Sequence, residues 1–124
     1  MAFAIARVYD PPAPSDGYRV LVDRLWPRGL AKARAAVDEW AKEVAPSPGL
    51  RTEWHHAADR AGTFDAFAAR YTAELDANPA ARALLELGRE HDRVTLLYGA
   101  KDEHLNHARV LLEWLAAHGA SVTR

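Results

Sequence analysis

The pattern of apolar and polar positions changes period along the chain, and each change marks an element. Val94-Thr95-Leu96-Leu97-Tyr98 is a short apolar run of β-formers, long enough for a buried strand and too short for a helix. Gly99-Ala100-Lys101 then turns the chain. From Glu103 to His118 the period is helical, with Asp102 as the expected N-cap and Gly119 as the C-terminal glycine. Ala120–Thr123 is expected to return as a parallel strand. Upstream, Phe3–Tyr9 alternates and predicts a first strand, and Tyr18–Asp23 predicts a second. The proline-rich segment Asp10–Gly17 between them is short enough for an antiparallel hairpin.

The middle of the chain reads as helical. Ala31–Ala36 can form a helical turn, and Val37–Val44 is ambiguous between helix and extended chain. Ser47-Pro48 is a cap followed by proline at the first helical position, which predicts a helix to about His56. Thr63 is the expected cap of the next helix, in which Phe64, Phe67, Ala68, Tyr71 and Leu75 share one face. Asn78-Pro79 opens another, running to about His91. The predicted fold is a single α/β domain over residues 1–124, a small mixed, mostly parallel sheet with helices packed around it. The predicted core includes Leu21, Leu96, Leu97, Phe64, Phe67, Tyr71, Leu112 and Leu115.

Composition narrows the function classes. A net charge of −1, from 16 basic and 17 acidic side chains, gives no global pull toward nucleic acid or an acidic membrane, so any anion site must be local. The absence of cysteine excludes disulfides, thiolate catalysis and cysteine-rich zinc sites. No apolar stretch suits a bilayer span or a signal-peptide core, so a cytoplasmic protein is expected.

Ligands of open parallel sheets bind outside the carboxyl ends of the strands, beside helix N-termini. Two stretches fall there. One is Tyr98 to His107, where Lys101 is placed to meet an anion and Asp102 is a cap or a base. His107 is expected about one turn inside the helix on its inward face, and His104 on the same half. The other is Asp23-Arg24-Leu25-Trp26-Pro27-Arg28-Gly29. Its arginines suit a carboxylate or phosphate through their planar forks, and Trp26 offers a stacking face. The alternative for each is structural: His107 as a satisfied core histidine, Trp26 packed in the core, Arg24 paired with an acid. His55 and His56 diverge by 100° on a helix and read as surface side chains, with His56 the one able to fold over the site. No metal-ligand spacing such as HExxH is present.

The run Arg19 to Leu30, RVLVDRLWPRGL, is distinctive. With Ala45-Pro46-Ser47, Leu50-Arg51, Phe67, Arg70-Tyr71, Glu74-Leu75, Thr95 to Asp102 and Asn106-His107-Ala108, it resembles the YeaO-like branch of the domain-of-unknown-function 488 family, in order along nearly the whole chain. The resemblance implies a small bacterial, cytoplasmic α/β protein with no established reaction. The resemblance also implies that other branches of that family carry a Cys-His-Arg run where this chain has Asn106-His107-Ala108. That leaves His107 as the shared polar residue and argues against thiol chemistry here.

The leading expectation is an enzyme or binding domain for a small anionic, nucleotide- or phosphate-like molecule. Arg24, Arg28 and Lys101 would hold the anion, with Trp26 or Tyr98 stacking and Asn106 in the binding set. His107 with Asp23 or Asp102 would be the acid–base pair. No cofactor is specified. The competing expectations are a single-stranded nucleic-acid module using the same arginines, against which the acidic balance argues, and a scaffold with no ligand.

Overall fold

The structure, a computed structural model, describes residues 2–124. Four strands form one sheet in the order β1-β4-β2-β3: β1 Ala2–Arg7, β2 Tyr18–Leu21, β3 Glu39–Trp40 and β4 Arg93–Tyr98. Every pairing is parallel. The helices are α1 Lys32–Ala35, α2 Pro48–His55, α3 Arg60–Asp76, α4 Pro79–Glu90 and α5 His107–Ala117. The α/β single domain is as expected, but among the described residues the sheet has no antiparallel pair.

The predicted β1–β2 hairpin fails because β4 lies between the two strands. The ten residues Val8–Gly17 instead carry the chain back from one end of the sheet to the other. A six-residue strand such as β1 is roughly 20 Å long, and ten residues reach up to about 33 Å, so a return without a helix is within the chain's reach. The predicted return strand Ala120–Thr123 is reduced to a single parallel bridge, Phe3 with Val122. β3 falls in the segment whose pattern is ambiguous.

Central strands β2 and β4 are buried on both faces, which explains why their sequences do not alternate. Val20, Val22, Val94, Leu96 and Tyr98 join the main core beneath α2–α5, with Phe67, Tyr71, Leu111, Leu112 and Leu115. Leu21 and Leu97 face the other way, into a smaller cluster with Val8 and Ala35, covered by Trp26, Leu30 and Val37. The predicted core is buried apart from Phe64, which is partly exposed.

Side chains set the helix starts. Ser47 and Asn78 cap α2 and α4 as expected, each followed by proline. Helix α3 begins earlier than expected: Asp59 caps it by accepting from the Gly62 N–H, while Thr63 sits inside the first turn, its hydroxyl bound to the Asp59 carbonyl. Helix α5 begins later than expected. Asp102 closes a turn by accepting from the His104 and Leu105 N–H groups, and the cap is Asn106, whose oxygen accepts from Arg109 N–H at 2.9 Å. The Asn106 amide donates to the Asp102 carbonyl at 2.8 Å, so turn and cap are one unit. His107 is therefore the first residue of α5 rather than a residue one turn inside it, and His104 is exposed. Among the described residues no helix is long and apolar enough to cross a membrane.

Candidate functional site

The sheet's hydrogen-bond ladder does not stop where the strands end. Val8 N–H donates to Tyr98 O at 2.8 Å, and Val22 N–H to Leu97 O at 3.0 Å. One step further a side chain replaces the main chain: Asp23 Oδ2 accepts from Gly99 N–H at 2.9 Å. The Asp23 carbonyl accepts from Trp40 Nε1 at 2.7 Å, so this aspartate is fixed from two sides. A Cβ on Gly99 would lie 2.9 Å from Asp23 Oδ2, closer than such contacts occur, so only glycine fits without a shift. Arg7 Nε donates to Ala100 O at 2.9 Å and holds the turn from the β1 side.

These loops border a cavity of about 630 Å³ at the carboxyl ends of the strands. Asp23, Arg24, Trp26, Arg28, Lys101, Asp102, Asn106 and His107 all line it, so the two stretches singled out in the sequence meet. Tyr98 does not line it; it is 3% exposed and packed in the main core, with no open ring face for a ligand. Burial, with Glu103 nearby, raises its phenol above the ordinary range. Strand alternation explains the difference, since Tyr98 points to the helix-covered face.

Four of the expected residues, His107, Arg24, Trp26 and Asp102, have structural partners. His107 Nε2 lies 3.1 Å from Val22 O and 3.2 Å from Asp23 Oδ1. Arg24 reaches across to Ala45 O and Pro46 O at 3.3 and 3.4 Å, with no acid beside it. Trp26 donates from Nε1 to Leu30 O at 2.7 Å and sets its ring edge-on to Trp40, so it is tied into the wall. Backbone N–H groups of Leu105 and His104 hold the Asp102 carboxyl below the usual carboxylate range.

The opposite wall is one the sequence reading does not anticipate. Arg51, Trp54 and His55 from α2 face the cavity, with Arg60 at the start of α3 and Phe67 behind. Positions 51, 54 and 55 are i, i+3 and i+4, one face of a helix, and that spacing was the available signal. It is His55, not His56, that turns inward. Burial and then the positive charges of Arg51 and Arg60 push the His55 imidazole below its ordinary range. Trp54 stacks on Phe67 with centroids 4.5 Å apart, and its Nε1 is buried without a partner.

Five permanent cations thus line the cavity, Arg24, Arg28, Arg51, Arg60 and Lys101, against two carboxylates. None of the five has an acidic partner among the described residues, whereas Arg19, Arg70, Arg89 and Arg124 all do. In a chain of net charge −1 this is a concentrated positive field. Among the described residues no cluster suits a metal ion, and no serine, threonine or cysteine lines the cavity.

The model of one protein family matches residues 2–123, and it is described as the inactive DUF488-N3 subclade. The chain is similar to the uncharacterized protein YeaO of Escherichia coli (strain K12), with 46% identity over 110 residues, 88% of this chain and 92% of that one. It is also similar to uncharacterized proteins of Mycobacterium bovis and Mycobacterium tuberculosis, each with 44% identity over 112 residues, 90% of this chain and 91% of theirs. No solved structure matches.

Proposed function

The chain belongs to the DUF488 family, in the YeaO-like branch, and from that premise we propose that it is a binding domain for a small anionic ligand held at the carboxyl ends of its strands. The observation that carries this reading is the set of five cations without acidic partners around one cavity. Arg28 presents a guanidinium fork to the anion, Arg24 adds the charge and the Nη1 donor left over from its bonds to Ala45 O and Pro46 O, and Lys101 adds a point charge from the β4 turn.

Binding is favoured over turnover by what the candidate acid–base groups already do. His107 Nε2 is engaged with Val22 O, Asp23 holds Gly99, and Asp102 closes a turn. They keep the loops in place, and no hydroxyl or thiol nucleophile of serine, threonine or cysteine lines the cavity among the described residues. The word "inactive" in the matched subclade's description agrees with this.

Thermal unfolding with inorganic phosphate tests the proposal. At about 100 times its Kd a ligand adds about 2.7 kcal/mol to the unfolding free energy. The Tm of the native protein should rise with phosphate concentration, and the double variant Arg24→Gln/Arg28→Gln should lose most of that rise. An equal rise in both proteins would reject the site.

A further inference from the structure

The cavity is much larger than an inorganic anion requires. At about 630 Å³ it falls within the ~300–1,000 Å³ range of pockets that enclose whole organic ligands. Its lining also holds exposed apolar side chains besides the cations.

Tyr9 is the distinctive one among them. It is 42% exposed, yet it is not free to turn. Its hydroxyl donates to Arg28 O at 2.9 Å, and the Arg7 guanidinium lies over the ring at 5.4 Å from the centroid. Arg7 is itself anchored on Ala100 O. With one face covered, the ring surface that lines the cavity is a fixed aromatic platform beside Arg28. Leu25, 60% exposed, is also part of the lining. Asp102 lines the same cavity; its Oδ1 takes both backbone bonds of its turn and its Oδ2 takes none.

Resting on the anion-site reading, we propose that the ligand is a nucleoside phosphate. Its base stacks on Tyr9, its sugar hydroxyls donate to Asp102 Oδ2, and its phosphate sits among Arg24, Arg28 and Lys101. Ring, hydroxyls and anion are the three parts of such a molecule, and the cavity offers a partner for each. Aromatic stacking tolerates any base, so the site selects for a base more than for its identity. Tyr9 supplies the platform that Tyr98 and Trp26 do not, since one is buried and the other is tied to Leu30 and Trp40.

Calorimetric titration with AMP, UMP, ribose 5-phosphate and inorganic phosphate separates the possibilities. At least one of the two nucleotides should bind about tenfold tighter than ribose 5-phosphate, a margin typical of one stacked base. Tyr9→Leu should remove the margin, bringing nucleotide affinity down to that of ribose 5-phosphate measured on the same variant, while Tyr9→Phe, which loses the same bond to Arg28 O, should keep most of it. Equal affinity for nucleotides and ribose 5-phosphate, or a margin that survives Tyr9→Leu, overturns the nucleoside proposal and leaves the anion site standing. Failure of all four compounds to bind overturns both.

Discussion

His107 Nε2 stands 3.2 Å from Asp23 Oδ1, on the far side of the carboxylate from the Gly99 N–H that Oδ2 accepts. One aspartate thus bridges the ends of β2 and β4 through Gly99 and lies against the first residue of α5. Asp23→Ala would leave the Gly99 N–H without its acceptor, at a cost of about 1–3 kcal/mol. Urea unfolding should show that loss, and a change below a few tenths would mean that the carboxylate is not what holds the β4 turn against the end of β2.

Asn106 is the cap of α5 and also the link to the Asp102 turn. Asn106→Ala removes both bonds, and cap loss alone costs about 0.5–2 kcal/mol. The expected loss lies in the upper part of that range. Asn106→Asp keeps the accepting oxygen and loses the donor, so it should fall between the native protein and the alanine variant in the same unfolding assay.

The His55 imidazole has its pKa lowered by burial and by the cations Arg51 and Arg60. A lowered folded-state value means that the unfolded chain binds the proton first as pH falls. Stability therefore declines as pH drops through the ordinary histidine range, and it levels off once the folded-state imidazole has also protonated. His55→Gln should weaken that decline. An anion in the cavity offsets the surrounding positive charge, so phosphate should move the His55 titration upward, as followed by its ring resonances in NMR. A downward movement would place the anion elsewhere.

Much of the site was legible because its two loops follow strands with unambiguous patterns. Val94–Tyr98 and Val20–Val22 are short runs of β-formers, so their carboxyl ends, and with them Asp23–Arg28 and Gly99–Asp102, were set by local signals. The topology was less accessible. β4 pairs between β1 and β2 from far along the chain, and nothing local to Phe3–Leu21 signals that insertion. β3 has two residues, both exposed, and no period to read. At α5 two good capping residues compete within five positions, Asp102 and Asn106. Asn106 wins because its side chain serves both as acceptor for Arg109 and as donor to Asp102. Tyr9 escaped notice because its role depends on Arg7 and Arg28 holding it, which is a tertiary fact.

Amide chemical-shift mapping during titration with inorganic phosphate is the most direct test of an anion site at the carboxyl ends of the strands. The account predicts saturable shifts concentrated in Arg24–Arg28, Gly99–Lys101 and the first turn of α5, with little change at the shallower hollow around Tyr18, His91 and Arg93 at the opposite end of the sheet. Saturable shifts centred on that opposite end, or none anywhere, would contradict it.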